Sequence, residues 1–288
     1  MARKLTDQEK IEIVDKYTND KRTHAELAKE YNVGKTSIGS VLKVRKVAKN
    51  PRICKYTLNE YYFDVIDTEE KAYFLGLLFA DGSNFESRHC VSIGLQTRDA
   101  SILTQMNNAL ESNRPITVVK LSLKNPNHQD SYRLGFVNSH LSVRLAELGC
   151  VAQKSLTLQF PKDEHVPAHL LQHFLRGYWD GDGTITGHLR KNRYNYFDMI
   201  GSMIGTLDFC NAVVEKILTP LGIHGNIYHD KRTPDTTTRQ LTISGNAQVL
   251  RFFDWLYKDA TVYFERKFNK YQEFTKMYAE KHQSATAV

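Results

Sequence analysis

The sequence predicts an α+β protein with a duplicated core and a small all-helical domain at its N-terminus. Residues 73–82 read YFLGLLFADG and residues 174–183 read FLRGYWDGDG, so an apolar stretch runs twice through a glycine into an Asp-Gly pair. When Asp81 is aligned with Asp182, an offset of 101 residues, the elements predicted around them follow in the same order. The chain ahead of both motifs shows helical periodicity and carries the whole excess of positive charge.

Residues 1–47 are predicted to form a helix-turn-helix module. Thr6 suits the N-cap of a first helix, and Glu9 completes a capping box with it. Thr23 begins a second helix, and a break at residues 32–34 separates it from a third. In this motif the helix after the turn enters the major groove of DNA, although any three-helix bundle would share the pattern. The residues expected to face DNA are Lys35, Thr36, Ser37 and Ser40.

The distribution of charge supports a nucleic-acid contact by the N-terminal region. Residues 1–56 hold 14 Lys and Arg against 7 Asp and Glu, whereas the rest of the chain holds 25 of each sign. A basic surface of this kind can dock on a phosphate backbone, and a solvated charged face is the alternative. Residues 48–66 are basic and then aromatic, and they are predicted to be a linker that can lie along a DNA groove.

The core is predicted to repeat the order αββαββα in residues 67–165 and 166–282, before a flexible tail at 283–288. The first half is predicted to have a helix ending at Asp81, strands at 83–87 and 89–97, a helix at 100–110, strands at 116–124 and 131–138, and a helix at 139–148. The second half is predicted to have a helix ending at Asp182, strands at 184–191 and 196–205, a helix at 206–221, strands at 226–231 and 239–245, and a helix at 246–257. Agreement over six successive elements indicates a duplication.

Residues 74–82 (FLGLLFADG) and 175–183 (LRGYWDGDG) resemble the two signature motifs of the LAGLIDADG homing endonucleases in their single-chain, pseudo-symmetric form. The resemblance covers about residues 67–282. It implies that two motif helices pack side by side between two saddle-shaped antiparallel sheets, which straddle DNA and insert side chains into its major groove. It also implies a monomer that cuts both strands of double-stranded DNA at a long, asymmetric site and leaves short 3′ overhangs.

Two glycines fit a close contact between the motif helices. Gly76 and Gly177 each cost a helix interior about 1 kcal/mol relative to alanine. That loss is most easily recovered where two helix backbones must approach closely. Small residues at Ala80 and Gly181 extend the same seam.

The helix ends are predicted to form a metal site. Asp81 and Asp182 would meet beside carbonyl groups that carry partial negative charge. Oxygen ligands of this kind select Mg²⁺, for which Mn²⁺ is expected to substitute, and phosphodiester hydrolysis needs an activated water and charge neutralisation. The predicted metal-binding residues are Asp81, Asp182, Ala80 and Gly181.

The Asp-Gly pairs and a third acid each allow an alternative interpretation. An isolated Asp-Gly pair is more often a helix C-cap turn, and the duplication favours the metal site instead. Asp180 is a further acid in the second motif, but its equivalent in the first motif is Phe79, so Asp180 is assigned to local hydrogen bonding.

The resemblance implies a catalytic lysine late in each half, which orients the attacking water and offsets phosphate charge. Lys154 follows the last helix of the first half and precedes a strand predicted in LTLQFP. Lys267 is predicted to be its counterpart, and Lys258, just at a helix end, is the alternative. With Asp81 and Asp182, Lys154 and Lys267 complete the predicted catalytic set.

Alternate strand residues are expected to read DNA, because successive side chains point to opposite faces of a sheet. The outer face of a sheet is polar in any soluble protein, which is the alternative explanation. The candidates are Ser83, Asn84, Ser92, Gln96, Arg98, Lys120, Ser122, Lys124, Arg133, Arg190, Arg193, Tyr194, Lys231, Arg232, Arg239 and Thr242.

Composition narrows the class of protein. The sequence has no apolar run long enough to span a bilayer and no apolar stretch typical of a signal peptide at its start, so a soluble intracellular protein is expected. The four cysteines are widely spaced, which favours reduced thiols over zinc ligands or disulfides.

These observations predict a Mg²⁺-dependent, site-specific DNA endonuclease linked to intron or intein mobility, with the N-terminal module adding affinity or reach. Two other functions stay open at this point. A non-catalytic DNA-binding regulator would be favoured by loss of the acids, and both acids are present. An RNA maturase would use the saddle to hold an intron.

Overall fold

The computed structural model describes residues 3–47, 56–120, 129–152, 157–190, 196–230 and 238–285. The chain divides into two compact units, Met1–Lys55 and Tyr56–Val288. No helix in the described ranges is long and apolar enough to cross a membrane.

The N-terminal unit contains the three predicted helices. They are α1 (Asp7–Thr18), α2 (His24–Glu30) and α3 (Lys35–Val44). Capping boxes are present at Thr6 with Glu9 and at Thr23 with Glu26, as residue spacing predicts. The helices enclose a small core of their own, in which Ile13, Leu27 and Ile38 are fully buried.

The larger unit repeats one order of elements. In the first repeat it contains α4 (Glu69–Asp81), β1 (Gly82–Phe85), β2 (Cys90–Gln96), α5 (Ala100–Ala109), β3 (Thr117–Val119), β4 (Ser131–Val137) and α6 (Ser139–Glu147). In the second repeat it contains α7 (Leu171–Asp182), β5 (Gly183–Arg190), β6 (Tyr196–Thr206), α8 (Leu207–Val213, continued by a π-helical turn Val214–Leu218), β7 (Gly225–His229), β8 (Thr238–Ser244) and α9 (Asn246–Tyr257). The predicted order αββαββα is therefore present twice.

Each repeat builds one four-stranded antiparallel sheet. The strand orders are β1-β2-β4-β3 and β5-β6-β8-β7, which are the same topology. One face of each sheet packs on helices, because Val91, Ile93 and Leu95 alternate with more exposed residues along β2. A single hydrophobic cluster joins both repeats, so the duplicated α+β core forms one folded body.

Three parts of the core differ from the sequence prediction. A further helix, α10 (Glu265–Ala285), extends the second repeat. Residues 157–161 do not form the predicted strand. Residues 56–66, predicted to belong to a linker, instead pack on the first repeat with Phe63 and Ile66 buried, because their aromatic and aliphatic side chains complete that core.

Candidate active site

The two motif helices cross where each has its central glycine. A Cβ on Gly76 would lie 1.9 Å from the backbone oxygen of Phe174, and a Cβ on Gly177 would lie 1.9 Å from the backbone oxygen of Tyr73. Tyr73 and Phe174 are themselves separated by the offset of 101 residues, so the contact is reciprocal. The predicted glycine seam between α4 and α7 is therefore present, and it relates the repeats by a pseudo-two-fold axis.

The seam brings the two motif acids to one end of the helix pair. Asp81 and Asp182 are the last residues of α4 and α7, and both are exposed. A Cβ on Gly181 would lie 2.3 Å from the Cβ of Ala80 and 2.9 Å from Oδ2 of Asp81. The carboxylate of the first helix thus lies against the last turn of the second.

Two other side chains lie within the electrostatic reach of both acids. Burial raises the pKa of Tyr178, and the charges of Asp182 and, more weakly, Asp81 raise it further. The hydroxyl of Tyr178 donates to the backbone oxygen of Ile204 at 2.7 Å. Sequence patterns did not indicate Tyr178, because an aromatic residue in an apolar helix also fits a plain core position.

Lys267 is the second side chain near both acids. It lies in the first turn of α10, only 6% exposed. Its Nζ donates to the backbone oxygens of Trp179 at 2.6 Å, Asp180 at 2.6 Å and Gly183 at 2.5 Å. These bonds place a cation on the C-terminal carbonyl groups of α7, where the helix dipole is negative.

Burial lowers the pKa of Lys267 to about 8, and the neighbouring charges of Asp180, Asp81 and Asp182 oppose that change. The alternative lysine, Lys258, is an exposed residue at the C-cap of α9, and its backbone oxygen accepts a bond from Gln172. Of these two candidates, Lys267 is the one whose charge interacts with both acids. Lys154 lies outside the described residues.

Asp180 is buried and bonded inside the protein. Its Oδ2 accepts the hydroxyl of Tyr73 at 2.8 Å and the backbone N–H of Phe264 at 2.7 Å. Burial raises the pKa of Asp180 to about 6, whereas Lys267 and the two donors lower it. The local hydrogen bonding predicted for Asp180 is confirmed.

Most described candidates for DNA reading lie on the sheet faces that point away from the helices, or just beyond them. Ser83 pairs with Ser92 on the outer face of the first sheet. Gln96 and Arg133 are exposed on that face, and Thr242 lies opposite the buried side of the second sheet. The exposed residues at strand ends are Arg98, after β2, and Lys120, after β3.

Two candidates lie on the core side of their sheets, of which Asn84 is wrong and Arg239, which is half-exposed, stays a prediction. Asn84 is fully buried, and its amide donates to the backbone oxygens of Ser142 and Cys150 at 2.8 and 2.9 Å, because its parity on β1 points it into the core. Arg239 pairs with Gly205 on the core side of the second sheet, the side of Leu241, since residues directly opposite in a ladder share a face.

Seven further DNA-reading candidates have side chains that the structure does not describe. Ser122, Lys124, Arg193, Tyr194, Lys231 and Arg232 lie outside the described residues, as does the side chain of Arg190. In the N-terminal unit, Lys35, Thr36, Ser37 and Ser40 are exposed at the start of α3.

A basic cavity that the sequence did not indicate lies beside the second acid. Its volume is about 320 Å³, and its lining includes Arg98, Gly183 and Thr184 together with three cations of α10, which are Arg266, Lys267 and Lys270. The three cations share one helix face, because residues three and four apart are neighbours on a helix. Sequence periodicity does not indicate this face, because the strongly charged α10 has a weak apolar signal.

The residues present can hold a divalent metal. Two exposed carboxylates lie at the ends of packed helices, beside the carbonyl groups of their last turns. In the described part of the chain no group of three or more His, Cys, Asp and Glu is arranged as a metal site. Two carboxylates are nevertheless sufficient for Mg²⁺, which keeps several waters and takes substrate phosphates as further ligands.

Comparisons with known proteins concern the family and the fold. Residues 170–256 match the LAGLIDADG-like domain family. The crystal structure of the I-LtrWI LAGLIDADG homing endonuclease bound to target DNA is similar to this chain, with 10% identity, a TM-score of 0.50, and coverage of 75% of this chain and 91% of that one. The structure of I-SmaMI bound to an uncleaved DNA target in the presence of calcium ions is 12% identical, with a TM-score of 0.49 and coverage of 77% and 94%. No curated protein matches in sequence.

Proposed function

We propose that this chain, which has the LAGLIDADG fold in its single-chain, two-motif form, is a homing endonuclease that hydrolyses one phosphodiester on each strand of double-stranded DNA. The observation that carries the proposal is the pair of equivalent acids, Asp81 and Asp182, held together at the open end of the glycine seam. Two equivalent acids related by a pseudo-two-fold axis match the two strands of a duplex, whose backbones are related by a similar axis.

The acids would hold a divalent cation, with Mg²⁺ as the proposed metal and Mn²⁺ as a substitute. Asp81 and Asp182 would supply carboxylate oxygens, and the backbone oxygens of Ala80 and Gly181 lie next to them in the chain. When bound, Mg²⁺ lowers the pKa of a coordinated water and neutralises charge on the phosphate. The exposure of both carboxylates lets DNA phosphates reach the site.

Lys267 would act by its positive charge, from a buried position at the C-terminal end of α7. Its ammonium group uses three backbone oxygens as acceptors, so it offsets the partial negative charge at the end of α7. It also places a positive charge near both carboxylates and near phosphates bound to them. Lys154 is proposed as its counterpart in the first repeat.

The outer sheet faces and the N-terminal unit would bind the DNA. Ser83, Ser92, Gln96, Arg133 and Thr242 present polar groups at alternate strand positions, which suits contacts to base edges. The exposed residues at the start of α3 would contact DNA as a helix-turn-helix, and the basic excess of residues 1–56 would strengthen binding to phosphates. We propose that the protein acts as a monomer on a long, asymmetric target, leaves short 3′ overhangs and serves intron or intein mobility.

The test is cleavage of a defined duplex. A duplex that joins the two genomic flanks of the open reading frame, and a randomised duplex library in parallel, would be incubated with the protein in Mg²⁺, in Mn²⁺ and in EDTA. We expect metal-dependent cuts on both strands at one position, with 3′ overhangs visible by end labelling. Tight, sequence-specific binding without cuts in either substrate would instead identify a regulator. Dependence of intron splicing on the protein, without DNA cuts, would identify a maturase.

A further inference from the structure

We propose that Asp99, in the first repeat, is a positioning residue for Lys267 in the second repeat and acts through Arg266. This inference rests on the proposed function, because it concerns the lysine assigned to catalysis. A residue of the first repeat would thus orient a catalytic group of the second repeat.

The geometry at Asp99 carries the proposal. Asp99 is the last residue of a 3₁₀ turn, Thr97–Asp99, that follows β2, and it is 5% exposed. Within the described part of the chain its side chain makes no capping bond to α5, although it occupies the N-cap position. Instead, Oδ1 and Oδ2 lie 2.9 and 3.0 Å from Nε of Arg266. A buried charge-assisted contact of this kind fixes geometry strongly.

Arg266 and Lys267 are adjacent in the first turn of α10, so fixing one backbone position fixes the other. The same turn is held on its other side, because the N–H of Phe264 donates to Asp180 in α7. Asp99 of the first repeat therefore fixes the start of α10 through Arg266, and Asp180 of the second repeat fixes it through the backbone of Phe264. Between them the Nζ of Lys267 reaches the three backbone oxygens at the end of α7.

The other repeat has a related contact. Thr206, the last residue of β6, is the N-cap of α8, just as Asp99, three residues after the end of β2, is the N-cap of α5. The Thr206 hydroxyl, which is buried, donates to the backbone oxygen of Leu158. Leu158 lies four residues after Lys154. In both repeats, then, the N-cap residue of the helix after the second strand bonds to a described residue of the opposite repeat that is near a proposed lysine in sequence.

The experiment compares Asp99→Asn with Glu265→Gln, a matched carboxylate-to-amide change at an exposed position in the same turn of α10. Cleavage of each strand of the full target duplex would be timed at saturating DNA by end labelling. Asp99→Asn is expected to slow one strand by roughly 10-fold to 100-fold, the scale of an ångström-sized misplacement of a catalytic group. DNA affinity and the rate on the other strand are expected to change less than about 3-fold. Glu265→Gln is expected to leave all three values unchanged.

A double-mutant cycle separates positioning from general weakening of the fold. If Asp99 acts through Lys267, Asp99→Asn with Lys267→Met should cleave no more slowly than Lys267→Met alone. Multiplied defects in the double variant, or equal slowing of both strands by Asp99→Asn, would overturn the proposal. If Asp99→Asn does not fold, Arg266→Lys replaces it, because it keeps the charge and loses the guanidinium geometry.

A readout without catalysis keeps the two proposals distinguishable. The rate of reductive methylation of Lys267 would be followed by peptide mass spectrometry, with exposed Lys258 as the internal reference. Asp99→Asn should raise the rate at Lys267 about 10-fold and leave Lys258 unchanged, since a buried side chain reacts only when its surroundings open. An unchanged rate at Lys267 would count against Asp99 even in a protein without nuclease activity. Conversely, a protein that cuts neither the joined-flank duplex nor the randomised library in Mg²⁺ or Mn²⁺ would remove the proposed function and leave the labelling result standing.

Discussion

The C-terminal ends of α4 and α7 have equivalent backbone positions, but different side chains donate hydrogen bonds to them. In the first repeat, the backbone oxygen of Leu78 accepts a bond from Sγ of Cys150 at 3.6 Å. In the second repeat the equivalent oxygen, on Trp179, accepts a bond from the ammonium group of Lys267. A thiol and an ammonium group thus occupy related places around two equivalent acids.

The difference extends along the helices. Arg176 is fully buried in α7 and donates to Glu69 of the first repeat and to the backbone oxygens of Leu256 and Val262. Its equivalent in α4 is Leu75, as Phe79 is the equivalent of Asp180. Within the described residues, the second repeat therefore carries a buried polar cluster with bonds to both repeats, in which Oδ1 of Asp180 has no hydrogen-bond partner, and the first repeat carries apolar side chains at the equivalent positions. The comparison teaches that a pseudo-symmetric backbone can carry two motif helices whose described polar contacts are unequal.

The largest effect is expected where the repeats are alike. Asp81→Asn and Asp182→Asn should each lower double-strand cleavage by about 10³-fold or more, because each removes a charged metal ligand. DNA affinity should be largely unchanged, since neither substitution removes a positive charge that attracts the phosphate backbone. The measurement is cleavage in Mg²⁺ beside a binding isotherm in Ca²⁺ for each variant. Full-rate cleavage at the same bonds by either variant would remove that acid from the site.

Stability tests whether the seam is symmetric. Gly76→Ala and Gly177→Ala should each destabilise the fold by about 3 kcal/mol or more, because a Cβ in either place would meet a backbone oxygen at 1.9 Å. Gly94→Ala is the control, since a Cβ there would meet its nearest atom at 3.8 Å. Urea unfolding followed by circular dichroism gives the three values. A loss at only one motif glycine would contradict the reciprocal contact.

The lysine and the cysteine test the asymmetry directly. Lys267→Met should slow cleavage by roughly 10²-fold, the effect of one positioned electrostatic group. Cys150→Ala should change the rate by less than about 3-fold, because a weak thiol donor adds little charge to its site. Lys258→Met is the matched lysine control. Normal cleavage by Lys267→Met together with a defect in Lys258→Met would show that the alternative lysine is the correct one.

The smallest effect is expected from the N-terminal unit, which lies outside the comparison of repeats. Deleting residues 1–56 removes a net charge of seven, so it should weaken DNA binding and flatten its dependence on salt. The cleaved bonds should stay in place, because both acids and both lysines lie beyond residue 67. Binding isotherms over a salt series, with a cleavage map, give the result. An unchanged salt slope would show that the module does not engage DNA.

The sequence by itself determined the repeat and its two acids. Periodicity and turn residues indicated nearly all helices and strands, because a single glycine and an Asp-Gly pair recur at one offset and the capping residues are local signals. The choice of Asp182 over Asp180 also came from the offset alone. The outer sheet positions followed from strand parity, apart from Asn84 and Arg239, whose parity depends on where each strand begins.

Only the tertiary structure decided the surroundings of the acids. Arg266 and Asp99 are 167 residues apart in the chain, and Arg176 and Glu69 are 107 apart, so no local pattern could have paired them. The sequence also did not indicate α10, because a strongly charged helix has a weak apolar signal. The role of α10 depends on the cavity that it lines, which only the folded structure forms. Burial then changed the chemistry. The family resemblance implied a role for Lys267 but not its burial, and packing makes it a buried cation on the end of a helix because three backbone oxygens converge there.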